Sequence, residues 1–137
     1  MDPKIQPYVE RYKLAVAFYQ ALKAELGEPR ALAIAQKGFE NLQRQVAHDL
    51  AEQLGGNSLE ALAEHIRKQA AERENQEVVE INDRLIATRT TYCPAPAAFA
   101  ALGAPELCRL YCDSDYEYIK AFNPKMRMVR TKTIAAG

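Results

Sequence analysis

The amino-acid sequence predicts an α+β fold, with a helical N-terminal half packed on a small antiparallel sheet and two further helices. Three observations carry that expectation. Apolar residues recur at helical spacing through the first 75 residues, two runs rich in β-branched residues follow with a polar turn between them, and short segments bounded by proline and glycine come next. Helices grouped ahead of strands mark an α+β chain, whereas strict alternation would signal a parallel sheet.

Tyr8, Tyr12, Ala15, Tyr19, Leu22 and Leu26 fall on one face of a first helix, which Gly27 ends. Val9, Leu14, Val16 and Phe18 occupy its other faces. The helix is therefore apolar nearly all round, either central in the domain or set against a partner chain. Glu28-Pro29 opens a second helix, since proline is harmless in a first turn where its missing N–H would have no partner. That helix is expected to bury Ala35, Phe39, Leu42, Val46, Leu50 and Leu54 and to stop at Gly55-Gly56. Asn57 or Ser58 caps a third helix with a stripe of Leu59, Leu62, Ile66 and Ala70. The charged stretch 71–75 then divides a helical half (1–75) from a sheet-and-cysteine half (76–137) of one domain.

In the second half, Glu77-Val78-Val79-Glu80-Ile81 and the run from Leu85 to Tyr92 predict a β-hairpin that turns at Asn82-Asp83-Arg84. Pro94 and Pro96 start a short alanine-rich helix ending at Gly103. Pro105 begins another, running through Leu107, Leu110 and Tyr111 toward Ile119, and Asn123-Pro124 breaks it. The alternation from Met126 to Ile134 predicts a third strand, with Arg130 and Lys132 on one face and Thr131 and Thr133 on the other.

Composition narrows the function classes. The 137 residues are 48% hydrophobic and 26% charged, enough for one domain with a real core. Lys+Arg and Asp+Glu number 18 each, so no net field draws the chain to nucleic acid or an anionic membrane. No apolar run approaches the roughly 20 residues of a spanning helix, and Met1-Asp2-Pro3-Lys4 lacks the apolar core of a secretory signal. A cytoplasmic protein is expected. Its three cysteines, Cys93, Cys108 and Cys112, are an odd count that suits reduced thiols better than a disulfide framework.

Those cysteines are the first candidates for chemistry. Cys108 and Cys112 lie four apart on an expected helix and share a face, and Cys93 sits where a strand hands over to a helix. Cys93 and Cys112 are candidate nucleophiles, given a lowered pKa, while Cys108 reads as core. In an alternative reading Cys93, Cys108 and Cys112 hold a metal, although their spacing matches no standard zinc or cluster pattern. Asp115 would share the face of Cys112 and serve as base or as partner to a cationic ligand group. A solvated acidic helix surface explains the same run of charges. Arg130 could clasp a substrate carboxylate, or simply pair with an acidic neighbour. His48 and His65 fall beside the apolar stripes and read as surface residues. The chain has no phosphate-binding glycine loop, nucleophile elbow or zinc-binding His-Glu motif.

Several of these residues fall in short motifs: Tyr92-Cys93-Pro94, Leu102-Gly103-Ala104-Pro105-Glu106-Leu107-Cys108 and Tyr111-Cys112-Asp113-Ser114-Asp115. Together with Phe122-Asn123-Pro124, Arg130-Thr131-Lys132-Thr133-Ile134 and Gly137, they resemble the L-2-amino-thiazoline-4-carboxylic acid hydrolase family. The match runs from about Tyr92 to Gly137, and the helical half agrees in layout. The resemblance implies a small bacterial, cytoplasmic α+β protein that hydrolyses a cyclic isothiourea on a route to L-cysteine. Cys93, Cys108, Cys112 and Asp115 fall on the family's recurrent polar positions, and Arg130, Thr131 and Thr133 on its strand motif. From this follow a catalytic set of Cys93, Cys112 and Asp115 and a substrate-binding set of Arg130, Thr131, Thr133 and Asn123. No cofactor is required by this reading. The family pattern continues past the strand glycine with a further cysteine, and the sequence ends at Gly137. Two rivals stand beside it: a non-catalytic module in which the three cysteines bind a metal or small ligand, and a protein that self-associates through its first helix.

Overall fold

Proline and glycine set the helix boundaries, and the apolar stripes decide how the helices meet. The computed structural model describes residues 1–131. In order these form α1 (Gln6–Leu26), α2 (Glu28–Leu54), α3 (Leu59–Glu72), β1 (Gln76–Ile81), β2 (Ile86–Thr90), α4 (Ala95–Ala101), α5 (Leu107–Asp113) and α6 (Asp115–Phe122). Helices grouped ahead of an antiparallel hairpin bear out the α+β class expected from the sequence. α1 and α2 are joined by Gly27 alone, whose φ of 84° strains any residue with a Cβ. Gly55, at φ 69°, closes α2 in the left-handed conformation. Ser58 caps α3, its Oγ accepting the Ala61 N–H at 3.1 Å. No helix among the described residues is long and apolar enough to cross a membrane.

The hairpin forms where the β-branched runs predict it. β1 and β2 pair antiparallel from Gln76 opposite Thr90 to Ile81 opposite Ile86, with an irregularity between Val78 and Glu80. Asn82 makes the turn: its Oδ1 accepts the Arg84 N–H at 2.8 Å, and its own N–H donates to the Leu85 carbonyl at 3.0 Å.

Two apolar clusters hold these elements. The first joins Val9, Tyr12, Val16 and Tyr19 of α1 to Ala31 of α2, Ala95, Ala98 and Phe99 of α4, and Leu107 and Cys108 of α5. Phe99 is its centre, stacked on Tyr12 at 4.5 Å and met by Phe39 and Tyr111 at 6.5 and 5.9 Å. The second joins Ala47 and Leu50 of α2 to Leu62 of α3 and Phe122 of α6, with Ile86 of the hairpin packed against it. Ala31, Ala47 and Ala98 have no solvent exposure at all, small side chains fully enclosed between the packed helices.

Four expectations are corrected. On α1 the buried stripe is Val9, Tyr12, Val16 and Tyr19, while Ala15 and Leu26 are exposed; the two valines share the tyrosines' face at spacings of three and four. On α2, Leu42 and Val46 are exposed, because the N-terminal half of this 27-residue helix packs on α1 and its C-terminal half on α6. The buried face rotates between those partners and passes both residues by. The single helix expected from Pro105 toward Ile119 breaks at Ser114, whose buried hydroxyl donates to the Tyr111 carbonyl and competes with the helical backbone ladder. Finally, the described part of the expected third strand, 126–131, is irregular, because the Arg130 side chain hooks onto α5 and α6 instead of the chain pairing with the hairpin. Lys132, Thr133 and Ile134, the remainder of that expected strand, lie outside the described residues.

Candidate functional site

Cys93 sits in the linker from β2 to α4, and Asn75 fixes that linker. The Asn75 carbonyl accepts the Thr91 N–H at 2.8 Å, and its side-chain amide donates to the Tyr92 carbonyl at 2.6 Å. Cys93 then lies half-buried against the first apolar cluster, just before buried Pro94. On α5, Cys108 belongs to that same cluster and Cys112, one turn on, is packed against it. All three thiols are free.

Burial governs the state of the two α5 thiols. It is the largest influence on Cys112, whose thiol is pushed up to about 12, with Cys108, Cys93 and Asp115 acting in the same direction. Burial also raises Cys108, opposed by a hydrogen bond with Cys112. Both therefore remain protonated thiols at neutral pH. The rise leaves less thiolate at Cys112 than an ordinary thiol would have, whereas the sequence had ranked it level with Cys93. Tyr12 joins this neighbourhood from α1: burial, then its interaction with Tyr111, holds its hydroxyl well above the usual tyrosine range.

Beyond the Ser114 break lies a charged corner. Asp115 opens α6, so it stands on a different helix from Cys112 rather than on a shared face. Arg130 reaches the corner from the irregular segment, its Nη2 donating to Asp115 Oδ2 at 2.7 Å and its Nη1 to the Cys112 carbonyl at 2.9 Å. Its guanidinium also lies 5.7 Å from the centre of the Tyr116 ring. Gln43 of α2 donates to the other Asp115 oxygen at 3.3 Å. Burial raises the Asp115 pKa, Arg130 opposes it, and Asp113 adds to the rise. Next to this corner Arg44 pairs with Glu117 at 3.1 Å, a second tie between α2 and α6.

The expected site residues thus divide. Asp115 and Arg130 meet as a pair, with Cys112 contributing its carbonyl. Cys93 and Cys112 pack against one cluster together with Cys108. Asn123 stands apart: its amide donates to the Asn57 carbonyl at 2.9 Å and its oxygen accepts the Lys125 N–H at 2.9 Å, joining two turns. Thr131 is exposed, and Thr133 lies outside the described residues. His48 is exposed and His65 half-buried. Among the described residues no group of three or more His, Cys, Asp or Glu side chains is placed to hold a metal ion. Gln43 was missed by sequence reasoning, though a signal existed. It is a polar residue four from Phe39 and four from Ala47, on the apolar side of α2.

These elements define a small helix-rich α+β protein whose C-terminal helices set thiols beside a carboxylate–guanidinium pair. The chain belongs to the L-2-amino-thiazoline-4-carboxylic acid hydrolase family, whose sequence pattern matches residues 8–137. The match therefore takes in the three N-terminal helices as well as the motif-bearing stretch after Tyr92. No curated protein and no solved structure matches the chain.

Proposed function

We propose that this protein adds water across the ring amidine of a 2-amino-thiazoline-4-carboxylate and opens the ring at its C–N bond. Family membership supplies the substrate class. The observation that carries the reading to residues is the Asp115–Arg130 pair. Such a substrate is a zwitterion, with an amidinium and a carboxylate on one small ring. A carboxylate and a guanidinium side by side offer it both complements, and each exchanges its partner in the protein for one on the substrate. Because the pair leaves and regains opposite charges together, neither group is stranded without a counter-charge.

In this reading Arg130 holds the substrate carboxylate and Asp115 faces the amidine carbon. Water attacks that carbon as Asp115 takes one of its protons, and the C=N electron pair moves onto nitrogen. Collapse of the tetrahedral carbon converts its new C–OH into C=O and expels the ring nitrogen, which takes up the proton from Asp115 and the hydroxyl proton and leaves as an ammonium group. One water is consumed, and the product is an S-carbamoyl amino acid with a free amine. A carboxylate whose pKa is raised by burial is the stronger base for the first step. In the covalent variant of the scheme, Cys93 supplies the nucleophile and water displaces it afterwards. Cys93 is favoured over Cys112 for that role, because burial raises the Cys112 thiol and so lowers its thiolate fraction. The reading carries a cytoplasmic location, where free thiols stay reduced.

The test is incubation of purified protein with L-2-amino-thiazoline-4-carboxylate, followed by mass spectrometry and a thiol reagent. The expected product is heavier by one water and silent to the thiol reagent, since C–N opening leaves sulfur capped. Asp115→Asn should lower kcat at least about 100-fold with the fold intact by circular dichroism. Release of a reactive thiol would instead assign C–S cleavage, and an unchanged substrate would overturn the proposal.

A further inference from the structure

Among the described residues, the apolar clusters leave the outer face of α1 uncovered. Val9 and Val16 are taken into the core, but Leu14 and Phe18, one turn apart, remain 67% and 66% exposed. Ala17 and Ala21 are exposed on the same side, so an apolar strip runs along the helix directly opposite its buried stripe. Exposed leucine and phenylalanine side by side have no structural reason within one chain.

The charges that bracket the strip say what covers it. Arg11 lies seven residues before Phe18 and Glu25 seven after, all three on one helical line. Glu10, at the edge, is already paired with Lys13 at 2.6 Å. Rotating a second copy of α1 about a twofold axis through Phe18 sets Arg11 of each chain against Glu25 of the other, with both Phe18 rings at the centre. The bracket-to-bracket distance of roughly 21 Å is the same in both chains, so the two ion pairs form together. A parallel arrangement would oppose Arg11 to Arg11 and Glu25 to Glu25, and is disfavoured. The alanines allow the backbones to approach closely enough for Leu14 to reach the partner helix.

We infer that α1 is a self-complementary interface on which a second copy of this chain docks antiparallel, centred on Phe18. The contact is an isologous one, as a twofold dimer requires. One helix face covers less than the roughly 800 Å² per partner of a standard interface, so the dimer is a reversible one with micromolar affinity. This inference is independent of the catalytic reading, because none of its residues belongs to the Asp115–Arg130 corner.

Sedimentation velocity on the full chain across a micromolar concentration series tests it. The wild type should pass from monomer to dimer. Phe18→Glu should remain monomeric, with an unchanged circular dichroism spectrum because the side chain is exposed. Arg11→Glu and Glu25→Arg should each weaken dimerisation about tenfold, by opposing like charges at both ends. The double variant should return to within a few-fold of wild type, which a general effect of surface charge would not produce. A wild type that stays monomeric throughout, a dimer indifferent to Phe18→Glu, or a double variant no better than the singles would each overturn the inference.

Discussion

Cys112 should alkylate far more slowly than an ordinary exposed thiol at neutral pH. Its thiol is pushed from 9.0 up to about 12, chiefly by burial. That displacement lowers the thiolate fraction about a thousandfold. A more basic thiolate attacks faster, and a Brønsted slope of ~0.45 returns about twentyfold of that loss. The net expectation is a rate about fiftyfold below that of an unperturbed thiol, before restricted access slows it further. The assay is a short pulse of iodoacetamide on the folded protein, followed by digestion and mass spectrometry of each cysteine, against a small-molecule thiol as reference. Repeating the pulse at rising pH should show the Cys112 rate still climbing above pH 9, with no plateau. Cys108, which is 4% exposed, should lag with it, and Cys93 should label first. Cys112 reacting at neutral pH as fast as the reference, or levelling off below about pH 9, would refute the reasoning and restore it as a nucleophile. In the covalent form of the mechanism, Cys93→Ser should then abolish turnover while Cys112→Ser preserves it.

Stability should fall in alkali: Cys108, Cys112 and Tyr12 have raised values when folded, so the unfolded chain ionises first, at the ordinary 9.0 and 10.0. The urea midpoint should therefore decline from about pH 9 upward, and Cys112→Ser with Tyr12→Phe should flatten that decline; a flat wild-type profile would contradict the burial argument. Phe99→Ala removes a fully buried ring in contact with three other aromatic rings and should cost about 3–5 kcal/mol by urea unfolding. A loss under about 1 kcal/mol would mean that Phe99 is not the centre of the first cluster. Glu106 accepts the Tyr19 hydroxyl at 2.8 Å and pairs with Lys23 at 3.3 Å, tying α5's approach to α1. Glu106→Ala strands the buried hydroxyl and should cost about 1–3 kcal/mol, Glu106→Gln recovering part of it; equal stability of all three proteins would show that the clamp contributes nothing.

The local features of this protein were readable from neighbouring residues, because short-range chemistry sets them. Gly27 and Gly55 end helices by backbone conformation, Ser58 caps α3 through its own hydroxyl, and Asn82 turns the hairpin. The motifs from Tyr92 onward pointed to the family that the whole-chain match then established. Tertiary structure decided everything that depends on what a residue faces. Periodicity marked α1 as apolar nearly all round and gave α2 an apolar stripe, yet which residues are buried depends on neighbours from distant segments; Val9 and Val16 went inward, while Leu42 and Val46 stayed out. The break at Ser114 needed a buried hydroxyl that competes for the Tyr111 carbonyl. The Asp115 site draws Gln43 from 72 residues away and Arg130 from 15, contacts with no signature in local sequence. The upward shift of the Cys112 thiol likewise comes from burial that only the packed helices create. A sequence lists which groups can ionise, donate or attack; desolvation and the partners brought across the fold fix which of them do.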